Sequence, residues 1–340
     1  MKNTNGSKFD QDKSSKVLND LKQASEADYS TSTAELPPPG GRISAITSNL
    51  RALGRMMQPG RPHRPVYLLL FVTNSCHARC AHCFYWRETN KPVQTLSLPE
   101  IDSLCASLGP MVQVTLTGGS PELRDDLPQI VNIVRRRCHP LNLTICYTGD
   151  LPEVIEAQVR ESLEANPGLK LAVNISLDGL GSDHDRYRRR KGLFDRAVES
   201  VKRLTQVRDD YPNLCVGCGI CVHGLNSDGA IATARWAMEN LSLDNLSPVL
   251  VRGDTYDQDA RNGDVEAFLE IANFTRDRLH SGEFRGYSTA THRLINAKDI
   301  VQKEMIAEIA RGGSMPVVCS ALHDTAVVYA DGSVPICEMR

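Results

Sequence analysis

Two periods of apolar residues divide the chain. From Val66 to Val251, short runs that alternate apolar and polar residues, or are apolar throughout, are separated by longer stretches with helical spacing. The runs predict strands over Val66–Thr73, Met111–Thr117, Leu141–Tyr147, Leu171–Asp178, Leu214–Val222 and Leu246–Val251. Between them, helices are predicted from Ser97 to Leu108 and over Leu127–Cys138, Pro152–Leu163, Phe194–Val207 and Asp228–Asn240. The first opens on Ser97-Leu-Pro-Glu100, a capping-box pattern, and stops before Gly109-Pro110. Strands alternating with helices make parallel βα units. Six units are too few to close an eight-fold barrel, so the fold class expected is α/β, an open (β/α)6 partial TIM barrel.

Flanking segments read differently. Residues 1–41, rich in Ser, Thr, Asn, Asp and Lys and ending in Pro37-Pro38-Pro39-Gly40-Gly41, are expected to form a disordered leader. In 42–65, Ile43, Ile46, Leu50, Leu53 and Met57 make one stripe of an amphipathic helix, followed by a linker. The barrel is assigned to 66–252, a helical segment to 253–312, and a β-hairpin to 313–340, the last two forming a small C-terminal α+β extension.

Within the strands, one face is polar. Leu171, Val173, Ile175 and Leu177 alternate with Ala172, Asn174, Ser176 and Asp178. Val112, Val114 and Leu116 alternate with Gln113, Thr115 and Thr117, and Leu141, Leu143 and Ile145 with Asn142, Thr144 and Cys146. Helices wrapped around a barrel take the apolar face, so the polar face points inward. Barrel interiors are ordinarily packed with branched aliphatics. Polar residues there on three consecutive strands predict a lumen that holds a ligand.

The 340-residue chain has a formal net charge of −2, which gives no overall field to recruit nucleic acid. No stretch approaches the ~20 apolar residues of a transmembrane helix. Its start lacks the apolar core of a secretory signal, so the 11 cysteines are expected as thiols in a reducing cytoplasm rather than as a disulfide framework.

Three of those thiols are closely spaced. Cys76-His-Ala-Arg-Cys80-Ala-His-Cys83 follows the first strand at its C-terminal end, where barrel enzymes carry their catalytic loops. Three thiolates can hold three corners of a four-iron cluster and leave one iron open. A zinc site is the other reading, with His77 or His82 as the fourth ligand.

Together with Phe84-Tyr85, Gly118-Gly119-Ser120-Pro121-Glu122 and Ser176-Leu177-Asp178-Gly179, this motif resembles the radical SAM superfamily. The resemblance runs from about Val66 to Val251 and returns near Cys319. It implies a [4Fe-4S] cluster on Cys76, Cys80 and Cys83. S-adenosylmethionine would chelate the fourth iron and be cleaved by one electron to a 5′-deoxyadenosyl radical, which takes hydrogen from a substrate. The resemblance places His82 and Tyr85 beside the adenine, and Gly118, Gly119 and Ser120 at the cofactor's amino group. Ser176 and Asp178 fall near its ribose and carboxylate, with Arg188 available to a carboxylate. The family's third loop residue is usually glutamate; here it is Ser120, with Glu122 two places on. No catalytic residue is assigned.

The resemblance also implies a ferredoxin- or flavodoxin-type reductant, and a substrate that is either a peptide or a small molecule of cofactor or metabolite biosynthesis. Oxidoreductase and transferase chemistry are both open. Cys319 and Cys337, around Asp331-Gly332-Ser333, resemble a truncated SPASM or twitch extension. Two thiols do not by themselves make an auxiliary cluster. Cys215, Cys218 and Cys221 alternate across a strand and so are not expected to converge on a second one. A zinc- or iron–sulfur-stabilised binding or electron-transfer protein, without cofactor cleavage, is the alternative from another class.

Overall fold

The computed structural model describes residues 64–285, 290–314, 319, 321 and 323–338, together with Gly54. The leader expected over 1–41 lies outside these residues, as do the amphipathic helix and linker expected over 42–65 except for Gly54, Arg64 and Pro65.

Among the described residues, seven strands form one parallel sheet: β1 (Tyr67–Thr73), β2 (Gln113–Gly118), β3 (Asn142–Tyr147), β4 (Leu171–Ser176), β5 (Leu214–Val222), β6 (Asn245–Leu250) and β7 (Thr325–Val328). Their order is β6-β5-β4-β3-β2-β1-β7, an open sheet with β6 and β7 at its edges. The connections carry α1 (Leu98–Leu108), α2 (Leu127–Cys138), α3 (Pro152–Ala165), α4 (Ser182–Arg188), α5 (Leu193–Asp210) and α6 (Ser227–Asn240). After β6 come α7 (Val265–Ser281) and α8 (Ala290–Ala310). This is the α/β partial barrel the alternation predicts, with one more strand.

Helices cover the apolar face of the sheet. Val114, Leu116, Leu143, Ile145, Val173, Ile175, Val216 and Cys218 are fully buried, with Ile101, Ile130, Ile155, Val201 and Ala234 from the helices in the same core. At about 25 cal/mol per Å² of apolar surface, this burial is the main force closing the fold. α1 begins where expected: Glu100 accepts from the Ser97 amide at 2.8 Å and its hydroxyl at 2.7 Å.

Among the described residues of 313–340, no second strand pairs with β7 to make the expected hairpin. β7 instead pairs in parallel with β1, Tyr67 opposite Thr325 and Leu70 opposite Val328. Beyond it the chain makes a tight turn, with the Gly332 amide donating to the Tyr329 carbonyl at 2.9 Å. An open edge of β1 offers unpaired backbone groups, and the alternation of β7 suits both faces there. Ala326 and Val328 join the main core, while Val327 packs with Phe71 and Tyr85 on the other face.

Candidate active site

The C-terminal ends of the strands open into a cavity of about 560 Å³, within the size range of small-molecule sites. Cys76, Cys80 and Cys83 line it from the loop after β1, Gly118 and Gly119 from the end of β2, and Cys146 and Thr148 from the end of β3. Asn174, Ser176 and Asp178 contribute from β4 and its end, and Gly219 and Cys221 from β5. The polar face therefore borders a lumen, but only at this end: Gln113, Asn142 and Thr144 do not line it.

Main-chain and side-chain bonds set the cysteine loop. Asn90 accepts from the Cys76 amide at 2.9 Å and donates to its carbonyl at 3.0 Å. The amides of Arg79 and Ala81 donate to the carbonyls of Arg188 and Tyr187 at 3.1 and 2.8 Å. On the other side, the Tyr256 and Asp257 amides donate to the carbonyls of Cys83 and Ala81. Burial pushes the Cys80 thiol up to about 12, partly offset by Arg188, and Cys83 up to about 11. Neither is a free thiolate at neutral pH, so coordination by a metal would have to drive their deprotonation.

Asp178, expected beside a cofactor, is fully buried and paired with Arg188, whose Nε donates to Oδ2 at 2.7 Å. Its Oδ1 accepts from the Cys221 amide at 2.8 Å. Burial alone would raise this carboxyl. Arg188, His82, His184 and the Cys221 amide outweigh it and hold the group well below the usual carboxylate range. His82 Nε2 lies 3.4 Å from Oδ2, and its ring stacks on His223 with centroids 4.7 Å apart. Burial pushes His82 down to about 3, so its imidazole is neutral at physiological pH. Tyr85 lines the cavity while packing on Phe71 and Tyr329, 4.6 and 5.0 Å between centroids.

The glycine loop departs from the expectation. A side chain on Gly118 would strike the Thr73 carbonyl, and one on Gly119 the Ser75 carbonyl. The cysteine loop's own backbone thus requires both glycines, whatever ligand the cavity takes. Ser120 is fully buried and does not line the cavity; its hydroxyl lies 3.3 Å from Cys76 Sγ. Glu122 also turns away from the cavity, accepting from the Thr148 hydroxyl and, at 3.2 Å, from the Asp150 amide.

Several site residues escape a reading from sequence. Asp150, just past β3, is buried and accepts from Arg190 and Arg196 at 2.9 and 2.8 Å, with His77 Nδ1 at 2.8 Å. Asn226 donates to the carbonyls of Asp178 and Cys221 at 2.9 and 2.8 Å. Both are polar residues just beyond strand C-termini, which is the signal that marks them. Arg252 and Glu338 pair at 2.6 Å and, with Trp86 and Tyr256, also line the cavity. Cys319 is exposed and Cys337 half-buried.

Among the described residues, no three His, Cys, Asp or Glu side chains stand close enough to hold a single metal ion. Three thiols lining one cavity are the soft donor set that an iron–sulfur group takes. The two histidines a zinc site would recruit face carboxylates instead, His77 Asp150 and His82 Asp178. Among the described residues no helix is long and apolar enough to cross a membrane.

Residues 70–237 match the model of the radical SAM superfamily. Fe-coproporphyrin III synthase of Methanosarcina barkeri is 30% identical over 150 residues, 43% of this chain and 35% of that protein. GTP 3′,8-cyclase of Chlorobaculum tepidum is 28% identical over 171 residues, 48% of this chain and 47% of its own length. The chain thus aligns with less than half the length of either relative. In fold, it is similar to Streptococcus suis SuiB in its crystal structure bound to S-adenosylmethionine. The TM-score is 0.57 at 14% identity, covering 96% of this chain and 71% of that one.

Proposed function

We propose that this chain, an enzyme of the radical SAM superfamily through residues 70–237, cleaves S-adenosylmethionine reductively in the cavity at the strand ends. Members of that family bind S-adenosylmethionine and use a [4Fe-4S] cluster. The observation that carries the proposal is that Cys76, Cys80 and Cys83 share one cavity with Gly118, Gly119, Ser176 and Asp178. When bound, the cluster and cofactor supply one-electron cleavage of the sulfonium and a 5′-deoxyadenosyl radical that abstracts hydrogen.

The chain's own residues bind, orient and shield. Cys76, Cys80 and Cys83 would hold the cluster, and bonds to the Asn90 side chain and to the Tyr187 and Arg188 carbonyls fix their loop before loading. Such preorganisation lowers the cost of assembling the site. Gly118 and Gly119 line the cavity, and their carbonyls would accept from the cofactor's ammonium group, while the Gly119 amide is already committed to the Thr73 carbonyl at 2.8 Å. Asp178 and Arg188 line the cavity as a buried pair, and Ser176, whose hydroxyl donates to the Tyr147 carbonyl at 3.2 Å, keeps its oxygen lone pairs to accept from a ribose hydroxyl. His82 and Tyr85 border the adenine, His82 from its stack on His223. Leu69, Phe71, Val249 and Leu250 give the wall apolar stretches that keep water from the reacting atoms.

A ferredoxin- or flavodoxin-type protein supplies the electron. The substrate, a peptide or a small molecule, occupies the lumen beyond the cofactor, among Thr115, Thr117, Asn174 and Ser247. The experiment is anaerobic reconstitution with iron and sulfide, followed by incubation with S-adenosylmethionine and dithionite. 5′-Deoxyadenosine should form with the native chain and not with Cys80→Ala; a loaded native chain that yields none would refute the proposal.

A further inference from the structure

We infer that Ser120 tunes the cluster through its hydroxyl, acting as a positioning residue that makes the cluster easier to reduce. This rests on the reading of Cys76 as a cluster ligand. Ser120 Oγ lies 3.3 Å from Cys76 Sγ, and the side chain has no exposure to solvent. Its backbone is fixed from the same loop, the Ser120 amide donating to the Ser75 carbonyl at 2.7 Å.

A hydroxyl has one proton to give. Thr148 Oγ1, at 3.5 Å, is the other acceptor within reach of Ser120. Thr148 spends its own proton on Glu122, which is buried and also accepts from the Asp150 amide. Ser120 therefore chooses between a neutral hydroxyl oxygen at 3.5 Å and a sulfur at 3.3 Å. Once that sulfur is a metal-bound thiolate it carries charge, and charge-assisted bonds are roughly twice as strong as neutral ones. The proton goes to Cys76.

The consequence concerns electrons. One electron from a low-potential donor enters the cluster, no bond breaks, and the Ser120 proton stays on its oxygen. Added negative charge on the ligating sulfur strengthens the hydrogen bond, so the donor favours the reduced form. Hydrogen bonds to sulfur are among the factors that set cluster potentials. This gives the loop's serine, standing where the resemblance leads one to expect glutamate, a role directed at the sulfur.

The test compares the native 340-residue chain with Ser120→Ala, both reconstituted anaerobically without S-adenosylmethionine and titrated against potential by electron paramagnetic resonance. At a fixed potential, the ratio of reduced to oxidised cluster should fall about tenfold in the variant, a midpoint about 59 mV lower for a one-electron couple. Iron and sulfide content should match. Resonance Raman supplies a second readout: an iron–cysteine stretch that shifts in deuterated solvent in the native chain and not in the variant. Ser120→Gly repeats the comparison if the alanine variant loads poorly. An unchanged or higher midpoint in a fully loaded variant would overturn this inference alone. A native chain that assembles no cluster on these cysteines would overturn the proposed function with it.

Discussion

Arg188 Nε donates to Asp178 Oδ2 at 2.7 Å, joining the end of α4 to the end of β4 inside the protein. Side-chain exposure is 9% for the arginine and none for the aspartate, so neither charge has water to fall back on. Removing one partner leaves the other charged and buried, which costs about 3–5 kcal/mol. Asp178→Ala should lower the stability of the metal-free chain by that amount in urea unfolding. Pairing it with Arg188→Met should cost clearly less than the two single losses added together.

Two glycines of β5 should separate stability from ligand binding. A side chain built on Gly219 meets nothing within 4 Å, and the residue lines the cavity. Gly219→Val should leave stability within ~1 kcal/mol and weaken S-adenosylmethionine binding to the reconstituted protein at least tenfold, measured by equilibrium dialysis. At Gly217 an added Cβ would stand 2.7 Å from Asn174 Oδ1 and 2.8 Å from the Asn245 carbonyl. Gly217→Val should therefore destabilise the fold by about 1–3 kcal/mol.

Asp150 ties three cationic or titratable side chains together: His77 beside the first cysteine, Arg190 and Arg196. Burial opposes its ionisation, but these partners hold the carboxyl below its ordinary value. A carboxyl depressed in the folded state contributes stability that is complete at neutral pH and is lost as pH falls below about 4. Asp150→Ala should cost about 1–3 kcal/mol at pH 7, since its partners are a third or more exposed and solvent takes up part of the loss. The variant's deficit relative to the native chain should shrink on acidification, as followed by thermal unfolding across pH.

Much of this arrangement is legible in the residue order. Six strands show in the sequence because each is an alternating or apolar run bounded by helical spacing. The same alternation places Cys218 in the core and Cys221 on the cavity, which is how it argues against a second cluster. β7 is hidden because four residues carry little periodicity and its partner, β1, lies 258 residues upstream. The turn at Asp331-Gly332 points to a hairpin only until the open edge of β1 is considered.

At the site, Asp178 and Arg188 are each identifiable as polar residues near a strand end, but their pairing is not. It depends on the short α4 and on Arg189, which ends that helix with φ of 51°. Glu122 looks like a displaced version of the family's loop glutamate. The 3₁₀ turn at Pro121–Leu123 points it at Thr148 and the Asp150 amide instead. Ser120 reads as a cofactor contact on position alone, whereas its hydroxyl faces the cysteine behind it.

If Cys76, Cys80 and Cys83 hold a cluster with one iron uncovered, as proposed, the most direct test is electron–nuclear double resonance on the reduced, reconstituted chain with S-adenosylmethionine labelled with ¹⁵N at its amino group. A hyperfine coupling from that nitrogen, of a size that requires direct bonding to iron, is the predicted result. A cluster whose fourth iron couples instead to a protein nitrogen, or that shows no coupling to the label at saturating cofactor, would contradict it.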